Sequence, residues 1–76
     1  MKEKQTYGQK AVGARFNPSG NAEVDTCKQR LADAIDQMND LHSQSKSQEQ
    51  KRLCSIAITE LQTAQMWAVK AITWSD

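Results

Sequence analysis

From Val24 onward the apolar positions recur at Val24, Cys27, Leu31, Ala34, Met38 and Leu41, alternating steps of three and four. That is the narrow seam by which one helix packs along another. Ile35 widens the stripe, while Lys28, Arg30, Asp33, Asp36 and Asp40 lie off it. The spacing predicts a helix over about residues 22–42. The stretch from His42 to Ser47 is small and polar, a connection of the length found between antiparallel helices. Ser45-x-x-Gln48 and Ser47-x-x-Gln50 both read as capping boxes that open a second helix.

The second helix is expected over about residues 48–73, roughly 26 residues or 39 Å at about 1.5 Å each. Its seam repeats the spacing in Cys54, Ala57, Leu61, Ala64, Ala68 and Ala71, and the alanines let two helix backbones approach closely. Ile56, Ile58, Met66, Trp67, Val69, Ile72 and Trp74 fall on other faces, so the C-terminal half is apolar nearly all round. A single shorter partner helix cannot cover such a helix, which belongs in the middle of something larger.

Ahead of the helices, residues 1–12 are polar and without a period, and read as a tail or short arm. Asn17, Pro18 and Gly20 then stand where a type I turn wants its first, second and fourth residues. Ser19, Gly20 or Asn21 can cap the first helix, with Glu23 and Asp25 in its first turn favoured by the helix dipole. The expected architecture is all-α: an N-terminal arm over 1–12 and an antiparallel helical hairpin over 13–76.

Composition turns this hairpin into a self-associating one. Chains of 76 residues gain only about 3–5 kcal/mol from their own core and usually need disulfides, a metal or partner subunits. Two cysteines and one histidine, with no CxxC or HxxxH spacing, make a metal staple a poor expectation. In a hairpin centred near residue 44, Cys27 faces roughly Gln62, about 12 Å along the axis from Cys54, too far for a disulfide. Both cysteines read as small core hydrophobes. Partner subunits are what remains.

The formal net charge of +1 points to no anionic partner by itself, although Lys2, Lys4, Lys10 and Arg15 outnumber Glu3 at the N-terminus. A signal-peptide core is missing after the first lysines. The most apolar run, Met66 to Trp74, is broken by Lys70 and is far shorter than the roughly 20 residues of a membrane span. The cytoplasm is the expected compartment.

Nothing in the sequence assembles a catalytic site. His42 stands alone at the hairpin turn, and no GxSxG, P-loop or GxGxxG motif occurs. Asp33 and Asp36 read as a solvated face. A binding site is better supported. Arg52, Ser55 and Thr59 share one face of the second helix, offering a planar guanidinium fork and two hydroxyls. Lys28 projects from the first helix outside its seam. Arg15 and Phe16 pair a cation with a flat ring that can stack on a base. On the residues alone, an ordinary solvated face with a tucked phenylalanine explains the same positions.

The order G-x-R-F-N-P-S-G-N from Gly13, V-D-x-x-K from Val24 and R-x-x-S-x-A-x-T-x-L-x-x-A-x-M-W-A-V-K-A from Arg52 resembles a family of small phage proteins. These are the anti-CBASS cyclic-oligonucleotide sponges, whose helical hairpin also occurs in the Thoeris anti-defence sponges. The resemblance spans roughly residues 9–73 and is most distinctive from Thr59 to Ala71. It implies a homohexamer of hairpins that performs no chemistry and needs no cofactor. Such an assembly sequesters cyclic dinucleotides (such as cyclic GMP-AMP) and cyclic trinucleotides (such as cyclic tri-AMP) in two kinds of pocket between subunits, so that the immune effector never senses infection.

The resemblance assigns Lys28 to the phosphate of a dinucleotide, with Arg15 and Phe16 of the arm. It assigns Arg52 and Ser55 to a trinucleotide, and Thr59 on the same helix face is counted with them. Ser55 stands where the family commonly has threonine, keeping the hydroxyl. Ala14 stands where some members carry a stacking tyrosine, which leaves either Phe16 in its place or a weaker dinucleotide pocket. The alternative reading is a helical adaptor that binds a host protein through its apolar C-terminal helix. A duplex nucleic-acid arm is disfavoured, since no basic helix face accompanies the N-terminal lysines.

Overall fold

The computed structural model describes residues 4–76 and contains three helices. Lys2 and Glu3, which enter the N-terminal charge excess, lie outside the described residues. Helix α1 is Tyr7–Val12, α2 is Ala22–Gln44 and α3 is Gln48–Ile72. Helices α2 and α3 form the hairpin, joined by Ser45–Ser47. The fold is therefore an all-α helical hairpin, with α2 continuing through Gln44 and not ending at residue 42.

The caps explain the boundaries. Asn21 opens α2 by accepting from the Glu23 N–H at 2.8 Å, and Ser47 opens α3 by accepting from Gln50 at 3.1 Å. Of the two capping serines the sequence offers, Ser47 caps α3, while Ser45 Oγ accepts from the Ser47 N–H at 3.1 Å. The Asn17–Gly20 turn closes through Gly20 N–H to the Asn17 carbonyl at 3.2 Å, with Gly20 at φ +67°.

The expected aperiodic arm requires correction. Tyr7–Val12 is helical, opened by a reciprocal capping box between Thr6 and Gln9 and closed by Gly13 at φ +64°. A helix this short does not persist alone; α1 exists because it docks on α2. Gly8 makes the docking possible. A Cβ there would sit 2.1 Å from the Ala32 carbonyl oxygen.

That docking also changes which stripe of α2 is buried. The fully buried positions are Val24, Lys28, Ala32 and Ile35. Cys27, Leu31, Ala34 and Met38 of the predicted seam are only half-buried, and Leu41 is exposed. The seam marks the line facing α3 alone. With α1 on a second side, the residues lying between the two neighbours become the best covered. Ile58 of α3, expected on another face, joins Val12, Ala32 and Ile35 in the core cluster for the same reason. Cys54 is buried and Cys27 half-buried, both as free thiols.

The chain measures 46 × 36 × 12 Å, so its shortest dimension is about one helix diameter. A single layer encloses only a small core. Beyond Ile58 no residue of α3 is fully buried, and Met66, Trp67 and Trp74 are each more than 60% exposed. The few enclosed residues therefore matter individually. Ile35→Ala, at a side chain 0% exposed, is expected to lower unfolding free energy by about 2–5 kcal/mol. Urea melts followed by helical circular dichroism measure this, and a change within about 0.5 kcal/mol would show that the cluster is not the core.

Candidate functional site

The turn before α2 and the far end of α3 enclose a cleft of about 270 Å³ lined by Phe16, Asn17, Pro18, Ser19, Val24, Lys28, Gln65, Val69 and Thr73. Its floor is built by hydrogen bonds within the turn. Asn17 Nδ2 donates to the Asn21 carbonyl at 2.9 Å and to Asp25 Oδ1 at 3.0 Å. Ser19 Oγ donates to Asn17 Oδ1 at 2.7 Å and accepts from the Asn21 N–H at 3.2 Å. These bonds hold the turn in place.

Lys28 is the one charged residue among those lining the cleft. It is 4% exposed, yet its partners are neutral: Nζ donates to the carbonyl of Gly13 at 2.9 Å and to that of Phe16. The Phe16 ring centroid lies 5.6 Å from Nζ, within cation–π range, and the ring is 70% exposed. An ammonium has three donors, so two carbonyls leave one by count. A buried positive charge held only by dipoles favours an anion nearby, because a charge-assisted bond is stronger than one to a neutral acceptor. An exposed aromatic ring beside it adds a stacking face.

Lys28 and Phe16 thus come together, and Arg15 does not join them. Arg15 lines a separate polar cleft of about 210 Å³ with Lys4, Gln5, Gln9, Ala14 and Gln29. The contributions of Gln65, Val69 and Thr73 went unnoticed in the sequence. Their spacing of four places them along one side of α3, and a hairpin turning near residue 46 sets Lys28 opposite roughly residue 64. A hairpin centred near residue 44, as expected from the sequence, sets Lys28 opposite roughly residue 60 and so misses these residues.

Arg52, Ser55 and Thr59 are all exposed on α3, and none of them lines the cleft that holds Lys28. Arg52 is held by Glu49 in a two-point contact, Nε to Oε1 at 2.9 Å and Nη2 to Oε2 at 2.6 Å. This pair would have to open for Arg52 to grip another anion with the same fork.

The helical hairpin thus presents a largely apolar cleft with one buried lysine and an exposed aromatic ring beside it. Over residues 9–73 the chain matches the Acb2/Tad1 hairpin domain, and it belongs to that family. No curated protein and no solved structure matches it. Among the described residues no helix is long and apolar enough to cross a membrane.

The Glu49–Arg52 contact makes a measurable prediction. The guanidinium holds the Glu49 carboxyl below its ordinary pKa, a little offset by desolvation, and Glu49 in turn raises Arg52. A depressed carboxyl contributes above the ordinary carboxylate range, and that contribution is lost as pH falls through the lowered value. Both side chains are about 60% exposed, so solvent screens the gain. Carbon-detected NMR titration is expected to show the Glu49 midpoint rising in Arg52→Gln. An unchanged midpoint would mean that the contact is absent in solution.

Proposed function

We propose that this protein sequesters cyclic oligonucleotide signals made by bacterial immune synthases and so shields a phage from CBASS-type or Thoeris-type defence without chemistry. Membership of the Acb2/Tad1 hairpin family supports the class, and the observation that carries the reading is the buried Lys28 beneath the exposed Phe16 ring. A cyclic dinucleotide is a doubly anionic ring with two flat bases. Its phosphate takes the Lys28 ammonium and one base stacks on Phe16. Sequestration needs affinity and copy number only, and a turn held by its own hydrogen bonds reduces the ordering cost of binding.

Self-association completes the sites. The layer is 12 Å thick and leaves Leu53, Ile56, Met66 and Trp67 of α3 and Trp74 beyond it exposed, an apolar surface that other copies cover. The family resemblance supports an order of six. Arg15, which faces another cleft of its own chain, contributes to a dinucleotide pocket only from a neighbouring copy. Arg52, Ser55 and Thr59 form a trinucleotide pocket where α3 helices meet, with Glu49 released from Arg52 on binding. The host cytoplasm during infection is the place where such signals accumulate. An adaptor that docks a host protein on the same apolar face of α3 is the competing reading.

Because Lys28 also carries the loop, its removal must preserve its aliphatic length. Lys28→Met and Arg52→Ala are expected to abolish different ligands, cyclic dinucleotides for the first and cyclic trinucleotides for the second, with the assembly intact. Calorimetric titration of both variants with a panel of cyclic and linear nucleotides reads this directly. Ligand recovered unaltered after denaturation establishes storage. Absence of heat with every cyclic member, or two variants that merely dissociate, would overturn the assignment.

A further inference from the structure

Helix α1 is linked to the cleft through its C-cap, Gly13, which supplies one of the two carbonyls on Lys28. The backbone between is continuous and tied. Ala14 N–H donates to the Gln9 carbonyl at 2.9 Å, and Phe16 N–H donates to the Gly13 carbonyl at 2.9 Å. Where α1 goes, the two carbonyls around Lys28 go with it. The placement of α1 is therefore part of the geometry of the cleft.

What holds α1 is a short list. Val12 is buried in the core cluster. Gln9 bonds Gln29 at 3.1 Å on the exposed side, and Gln62 reaches the Ala11 carbonyl at 3.4 Å, a long bond. The shortest of these polar ties is at the other end of α1. The Gly8 N–H donates to Asp36 Oδ1 at 2.7 Å in partly buried surroundings. Gly8 is in the first turn of α1, where N–H groups have no partner within the helix. A carboxylate there satisfies a free donor and meets the positive end of the helix. The fit is close: a Cβ on Gly8 would lie 2.9 Å from the same Asp36 oxygen.

We propose that Asp36 is a positioning residue for the Lys28 cleft, a latch that holds α1 against α2 and so keeps the Gly13 and Phe16 carbonyls in place around the ammonium. Asp36 is two α2 turns beyond Lys28, about 12 Å along the axis, and lines none of the cleft. It acts through backbone position, not through contact with the guest. The inference rests on the cleft being the dinucleotide pocket, and the Arg52 face, which α1 does not touch by any hydrogen bond, lies outside its reach.

The test uses the full chain with Asp36→Ala and with Asp36→Asn, which keeps an acceptor oxygen at the same place. Hydrogen–deuterium exchange is compared for residues 8–12 and 54–61, and cyclic GMP-AMP and cyclic tri-AMP are titrated by calorimetry. Asp36→Ala is expected to speed exchange in 8–12 while leaving 54–61 protected. It should also weaken cyclic GMP-AMP by about tenfold or more with cyclic tri-AMP unchanged, and Asp36→Asn should restore binding to within about threefold.

Unchanged cyclic GMP-AMP affinity in Asp36→Ala would overturn the latch. So would equal loss in the Asn variant, faster exchange in both segments, or a chain that no longer folds. If the unsubstituted protein does not bind cyclic GMP-AMP, the pocket reading fails by itself, and the exchange pattern alone then decides whether Asp36 holds α1.

Discussion

Burying an ammonium is costly unless its N–H groups find acceptors, and for Lys28 those acceptors are the carbonyls of Gly13 and Phe16. This requirement links all the elements of the small fold. Lys28 sits on α2, the carbonyls belong to the segment that follows α1, and the cleft they share is closed by Gln65 and Val69 of α3 and its C-cap Thr73. The same contact brings a positive charge to the edge of a cleft without a carboxylate among its lining residues. On the proposed reading, structural need and ligand chemistry meet in this one side chain, on a loop that is already ordered by its own bonds.

The two long helices were legible because their apolar period is sustained and their ends are marked by Asn21 and Ser47. Helix α1 was not, since six residues are too few to display a period. Its local signals were nevertheless present in Thr6-x-x-Gln9 and in Gly13. Missing α1 also misplaced the buried stripe of α2. A periodicity argument locates the face toward one neighbour, and here Ala32 and Lys28 are covered because there are two. Lys28 consequently looked like a free projecting cation, whereas it is among the most enclosed side chains of α2. Candidate site residues were legible as chemistry but not as geometry. Lys28 and Phe16 converge, Arg15 faces elsewhere, and the contribution of α3 required the hairpin register.

A layer about one helix thick has few ways to be stable alone. The core cluster gathers where α1 meets the middle of α2 and α3, while Trp67 of α3 and Trp74 beyond it stay in solvent. On the proposed reading the surplus surface is the means by which pockets arise, since residues such as Arg52 and Thr59 acquire walls only from other copies. The apolar C-terminal helix and the separate placement of Arg15 then follow from one arrangement.

Lysine-selective NMR of the Lys28 ammonium, recorded with and without cyclic GMP-AMP, addresses the central claim most directly. The account predicts a Nζ signal in the free protein whose protons exchange slowly enough to be observed, with coupling to the Gly13 and Phe16 carbonyls, and a shift of that signal on ligand addition. A Lys28 ammonium that exchanges as fast as exposed lysines such as Lys46, or that is indifferent to ligand, would contradict it.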